Sequence, residues 1–187
     1  MIDIDLITGR VAEARWRPSP HYNARPGGEL PSLLVVHSIS LPEGQYGTPF
    51  VDDLFLGRLN TAAHPTFASL EGVRVSAHLL VARNGELTQY VSLNERAWHA
   101  GESRFDGRDD VNDFSIGVEL EGTVVAPFTT AQYCRLAQVH RGLRAAYRSI
   151  DGRPVVGHSD IAPERKQDPG TGFDWLRWST MAGVQTV

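Results

Sequence analysis

Three of the seven histidines in this 187-residue chain fall where a rigid scaffold would present them to a cleft. His37 closes an apolar, β-branched run (LLVVH, 33–37), His158 follows a short apolar run through Gly157, and His99 sits in a long polar loop. The stretch after Gly157 reads HSDIAPERKQDPG (158–170), which supplies carboxylates and a lysine close to His158. Two histidines and one carboxylate, with a fourth position left for water, make a hydrolytic zinc site. Zinc in such a site lowers the pKa of its water from roughly 15.7 to about 7. The chain has no HExxH helix, so the ligands must converge from separate strands and loops, and spacing leaves Asp160, Glu164 and Asp168 all open as the carboxylate. Glu119 is a second candidate. It shares a strand face with Gly117 and Glu121, where two acids two residues apart would ordinarily meet solvent. With open space beside Gly117, the same position suits a general base that takes a proton from water on the metal. Lys166 reads either as a solvated loop charge or as a stabiliser of a developing oxyanion.

The elements that must hold these groups are legible from periodicity. The run 33–37 is apolar throughout, as in a central strand covered on both faces. Residues 114–121 (FSIGVELE) alternate, with Phe114, Ile116, Val118 and Leu120 on one face and Ser115, Gly117, Glu119 and Glu121 on the other. The runs 75–81 and 87–91 flank Asn84-Gly85, a hairpin signal because both turn residues tolerate positive φ. Thr48 and Pro49 suit the cap and first residue of a helix over 49–59. Thr129 and Gln132 form a capping box that opens a helix to about Arg148. Residues 155–156 form a short strand before Gly157-His158, and 60–65 read as irregular. The connection 95–113, which contains AWHAG (97–101), is long enough to be functional in its own right. A mixed central β-sheet flanked by helices follows, an α/β class that this element order does not separate firmly from α+β.

Composition removes several function classes. Apolar types make up 41% and charged types 21%, with 18 Lys plus Arg against 22 Asp plus Glu. The length suits one domain over 1–187. A single cysteine, Cys134, excludes an internal disulfide and thiolate metal sites, and mid-helix it reads as a small hydrophobe. Mild acidity without a basic run argues against nucleic acid and anionic membranes as partners. No apolar run approaches the roughly 18–20 residues of a membrane span. The acidic start MIDIDLITGR does not read as a secretory signal, so a cytoplasmic protein is expected. His78 and His140 read as packed core, and His21 and His64 as neighbours of loop prolines. Trp98 either walls a sugar or peptide groove or pins its loop.

Taken together, SPHYNARP (19–26), SLLVVHSISLP (32–42), HPTF (64–67), RVSAHLLV (74–81), RAWHAG (96–101), NDFSIGVELEGT (112–123), GHSDIAPERKQDPG (157–170) and FDW (173–175) resemble the AmpD family of N-acetylmuramoyl-L-alanine amidases, in the zinc amidase and peptidoglycan-recognition superfamily. The stretches occur in family order over about 19–178. The resemblance implies zinc on His37, His158 and Asp168, with Glu119 as catalytic acid and base and Lys166 as catalytic lysine. It implies hydrolysis of the amide between the lactyl group of 1,6-anhydro-N-acetylmuramic acid and L-Ala in muropeptides returned to the cytoplasm; a monomer is expected. It further places Ser38, Arg74, Trp98, His99 and Arg108 along the substrate groove. Three departures stand out. Ser38 replaces the family's usual Asn after the first ligand, Ser159 replaces Cys, and Asp109-Asp110 put acid where some members carry a base. The alternatives are a non-catalytic peptidoglycan-fragment binder on this fold, an amidase acting on intact wall, and a zinc peptidase of related geometry. Having all five metal and catalytic positions disfavours the binder.

Overall fold

Leu33, Leu34, Val35 and Val36 are at most 2% exposed, as a strand covered on both faces must be. In the computed structural model, which describes residues 2–184, this run belongs to the second strand of a six-stranded mixed sheet. The strands are β1 (Arg15–Trp16), β2 (Leu33–Ile39), β3 (Leu79–Val81), β4 (Leu87–Gln89), β5 (Ser115–Glu121) and β6 (Val155–Gly157). Their spatial order is β6-β2-β5-β3-β4-β1. β6, β2, β5 and β3 run parallel, β4 is antiparallel to β3, and β1 is parallel to β4. Three two-stranded ribbons lie outside this sheet.

Alternation along β2 and β5 sorts their side chains onto two layers. Leu34, Val36, Ile116, Val118 and Leu120 pack against Tyr133, Leu136 and Leu143 of α2 (Thr130–Ala146) and Trp178 of α4 (Trp175–Ala182). Leu33 and Val35, on the other face, meet Ala100, Val111 and Ile161, and also Phe114, which the alternation puts beside Ile116 but which precedes the strand, at ψ 10°, and so turns to this layer. The polar residues of that second face, His37 and Glu119, lie toward the C-terminal ends of their strands and are direct partners in the parallel register. A third cluster packs α1 (Phe50–Phe55) on Tyr90, Val91 and Ala97.

The sheet and its flanking helices match the expected fold, and the differences are local. The Thr129 hydroxyl accepts from the Gln132 N–H and the Gln132 side chain accepts from the Thr129 N–H, both at 3.1 Å, so the capping box forms; α2 ends at Ala146. The 82–86 turn closes with the Ala82 N–H donating to Glu86 at 3.0 Å and Gly85 at φ +86°. The helix expected over 49–59 is only Phe50–Phe55: Gly57, at φ +68°, stops it, and the Thr48 hydroxyl donates to the Leu41 carbonyl instead of capping. Of 75–81 only Leu79–Val81 is regular strand, because Ser76 donates to the carbonyl of Trp98 in the long loop. The stretch 60–65, read as irregular, includes a 3₁₀ turn at Thr61–Ala63 and the start of another at Pro65–Leu70. Cys134 is exposed on α2 rather than packed.

His140 is core, as its helical stripe implies, yet neither ring nitrogen has a hydrogen-bond partner among the described residues. It meets Trp178 edge-on at 5.4 Å. Burial, reinforced by Arg144 and Arg141, pushes its pKa down to about 4. A folded value below the unfolded one of about 6.5 means that the fold loses stability as pH falls from that value toward 4. His140→Leu is expected to raise stability, since an unsatisfied buried polar group costs about 1–3 kcal/mol. The gain should grow from pH 7 to pH 5 in thermal unfolding; a gain that shrinks at pH 5 would contradict the assignment.

Candidate active site

Three adjacent parallel strands deliver the reactive groups at their C-terminal ends, where open α/β sheets place their ligands. β2 carries His37, β5 carries Glu119, and β6 runs directly into α3 (His158–Ile161), whose first residue is His158. The loop after α3 folds back because the Ser159 N–H donates to the Asp168 carbonyl at 2.9 Å. Gly157 permits the return: a Cβ there would lie 2.7 Å from Pro169. Asp168 is thereby set against both histidines.

The three side chains converge on one point. His37 Nδ1 lies 2.9 Å from His158 Nδ1 and 3.2 Å from Asp168 Oδ2, and His158 Nδ1 lies 3.1 Å from the same oxygen. A tetrahedral zinc with bonds of about 2.0–2.1 Å separates its ligand atoms by about 3.3 Å, so this donor set fits the ion with little movement. Among the described residues no other group of histidine, cysteine and acidic side chains offers such a cluster. Protonation states also suit a metal, which needs neutral imidazole and ionised carboxylate. Burial pushes His37 down to about 4, against the pull of the Asp168 hydrogen bond. Burial alone would raise Asp168, but hydrogen bonds with His158 and His37 outweigh it and hold the carboxyl well below the usual range. His158 Nε2 lies 3.0 Å from the Ala100 carbonyl, which would accept the ring proton once Nδ1 is given to a metal. The other two acids are elsewhere: Asp160 accepts from the Gly157 N–H at 2.7 Å, and Glu164 is exposed.

Glu119 and Glu121 share a strand face but not an environment. Both carboxylate oxygens of Glu121 are engaged, by the backbone N–H groups of Gly47 and Arg83. Glu119 is 8% exposed and its Oε2 has no partner. Burial, with the nearby Asp168 charge, raises the Glu119 pKa well above the ordinary value, while Lys166 acts in the opposite direction. Lys166 is half-buried, and its charge also bears on His37. A buried, unsatisfied carboxylate beside a metal-binding cluster and a cation is equipped for proton transfer.

The residues expected along a groove divide. Ser38 lines a cavity of about 340 Å³ with Ile39, Leu41, Thr66, Leu70 and Val124. Arg74 lies over the Trp98 ring at 5.9 Å, and Trp98 is itself pinned by Asn23 at 2.6 Å and stacked on His21. Arg108 is not brought to the site. It stacks on Phe114 at 4.0 Å, pairs with Glu29 at 3.1 Å and lines a small cavity with Ser32 and Leu33, at the opposite end of β2 from His37. His99 does not line a groove either: it is buried behind His37. Its ring fills the open space read beside Gly117, since a Cβ on Gly117 would fall 2.4 Å from it. Two groups escaped the sequence reading. The Ala100 carbonyl left no side-chain signal, and Asn112, whose Oδ1 accepts the N–H groups of His99 and Ala100 at 3.0 and 2.8 Å, sat inside a motif valued for Glu119.

The sequence profile of the Amidase_2 family, N-acetylmuramoyl-L-alanine amidase, matches residues 27–171. The chain is 52% identical over 182 residues to the 1,6-anhydro-N-acetylmuramyl-L-alanine amidase AmpD of Escherichia coli (strain K12), covering 97% of this chain and 99% of that protein. A crystal structure of a selenomethionine AmpD derivative superposes with a TM-score of 0.92 at 52% identity, over 97% of this chain and 99% of the other. The amidase AmiD from E. coli, in complex with the substrate anhydro-N-acetylmuramic acid-L-Ala-D-γ-Glu-L-Lys, aligns with a TM-score of 0.61 at 31% identity, over 88% of this chain and 62% of that one.

Keeping Glu119 ionised in this pocket has a measurable cost to the metal-free protein. A carboxylate whose folded pKa is raised destabilises the fold above that pKa and ceases to do so as pH falls through it. Glu119→Gln is therefore expected to raise the unfolding temperature of metal-free protein at pH 7–8, with the difference shrinking toward pH 4. An equal or lower midpoint at pH 8 would show that Glu119 is not held uncompensated.

Proposed function

The chain belongs to the N-acetylmuramoyl-L-alanine amidase family, and on that premise we propose that it is a zinc-dependent hydrolase of the amide joining the lactyl group of 1,6-anhydro-N-acetylmuramic acid to the L-Ala of muropeptides. The observation that carries this reading is the convergence of His37, His158 and Asp168 within 3.2 Å of one another, with the unpartnered Glu119 carboxylate on the adjoining strand. The name of the E. coli relative and the peptide bound to AmiD support the substrate class.

In this reading His37, His158 and Asp168 hold the zinc. When bound, the ion supplies Lewis acidity toward the scissile carbonyl and acidifies the attacking water. Glu119 takes a proton from that water as its oxygen adds to the carbonyl carbon. It then delivers the proton to the L-Ala nitrogen as the carbon–nitrogen bond breaks, so that a neutral amine leaves in place of an amide anion. The Lys166 ammonium offsets the negative charge that builds on the carbonyl oxygen. The water oxygen ends in the lactyl carboxylate. We seat part of the substrate in the groove beside Ser38 and against the Trp98–Arg74 pair. The 1,6-anhydro sugar in the relative's name favours released fragments over intact wall, and with them a cytoplasmic recycling role for one catalytic domain. Among the described residues no helix is long and apolar enough to cross a membrane.

Two variants test the assignment. Glu119→Ala should keep one zinc per chain and lower turnover of an anhydro-muropeptide by about 10²–10⁴-fold. His158→Ala should lose stoichiometric zinc. Undiminished turnover in the first variant, or full metal content in the second, would refute the corresponding role.

A further inference from the structure

Four histidines lie in one buried row. The ring centroids of His158 and His37 are 4.4 Å apart, those of His37 and His99 5.0 Å, and those of His99 and His78 5.6 Å. The proposed reaction uses the first two. His78 has a full structural account: its Nδ1 accepts from the Gly117 N–H at 3.0 Å, which leaves the Nε2–H to donate to the Glu95 carbonyl at 3.0 Å. His99 has none so far.

We propose that His99 is a positioning residue of the metal centre, holding His37 in the tautomer and orientation that present Nδ1 to the ion. The inference rests on the reading of His37 as a ligand. His37 Nε2 is 2.9 Å from His99 Nδ1, and His99 Nε2 is 3.1 Å from Ser115 Oγ. A neutral imidazole that binds a metal through Nδ1 carries its proton on Nε2, so His37 must donate to His99 Nδ1. His99 then carries its own proton on Nε2 and donates to Ser115. Metal binding through His37 Nδ1 thus selects one proton arrangement along the row. Such outer partners fix ring orientation and make the ligand more basic.

The site is built to keep His99 there. Gly117 leaves no atom where the ring lies, and the two backbone bonds to Asn112 Oδ1 fix the loop from which the ring projects. The same loop supplies the Ala100 carbonyl that orients His158. Arg165 holds that loop from outside, donating to the Ala100 and Glu102 carbonyls at 2.7 Å each. Residues 99 and 100 therefore orient one histidine each, the first through its side chain and the second through its backbone.

The test needs no turnover. In zinc-loaded wild-type protein with ¹⁵N-labelled histidine, long-range ¹H–¹⁵N correlations should show both His37 and His99 protonated at Nε2. Metal on His37 Nε2, or a proton on His99 Nδ1, would overturn the proposal whether or not any variant folds. Chelator competition should then show zinc held about 10–100-fold more weakly by His99→Leu, which keeps the volume but offers no acceptor. His99→Gln, whose carboxamide oxygen can accept, should recover most of that loss at a similar metal-free unfolding midpoint. Wild-type zinc affinity in the Leu variant would overturn the relay alone. A wild-type chain that takes up no zinc would overturn the metal reading and the relay with it.

Discussion

The structure depends on one constraint: two histidine nitrogens and one carboxylate oxygen must meet within about a bond length of a common point, out of water. His37 and His158 are 1% and 3% exposed, and their nitrogens and the Asp168 oxygen approach to 2.9–3.2 Å. Polar groups buried so closely are costly unless each is oriented by a partner. The parallel pairing of β6, β2 and β5 brings the strand ends together. The Ser159–Asp168 backbone bond brings in the carboxylate, and the 97–101 loop backs both rings. The apolar layer beneath, where Leu34, Val36 and Val118 pack on α2 and α4, anchors the strands on which these groups stand.

The contrast between Glu119 and Glu121 shows how an environment assigns a role. The two acids sit two residues apart on one strand face, and both are 8% exposed. Glu121 clamps two loops by accepting from Gly47 and Arg83. Glu119 faces Asp168 and Lys166 with an oxygen left over. Full satisfaction suits structure, and an unsatisfied buried oxygen suits proton transfer.

Much of this was legible in the chain because local and global signals agree. The unbroken 33–37 run, the alternating 114–121 run, the Asn84-Gly85 turn and the Thr129–Gln132 box each carry a short-range physical cause. The choice among Asp160, Glu164 and Asp168 was not readable from spacing, because it depends on how the loop after α3 folds back. Resemblance to a known family points to Asp168, which is the acid that the fold sets beside His37 and His158. The placement of Arg108, at the opposite end of β2 from His37, was not readable either, because motif position does not reveal at which end of the sheet a hairpin lies. Gly117 was correctly seen as a gap, but what fills a gap comes from elsewhere in the chain, here His99. The Ala100 carbonyl could not be foreseen, since every residue has one.

The most direct measurement is the hydrolysis of an anhydro-muramyl peptide in H₂¹⁸O, with products weighed by mass spectrometry and zinc content determined on the same sample. The account predicts one ¹⁸O atom in the lactyl carboxylate, an unlabelled peptide beginning at L-Ala, and loss of both products when a chelator removes the zinc. Label in a peptide carboxylate would mean cleavage between amino acids, and cleavage unchanged without zinc would remove the metal centre from the reaction; either would contradict it.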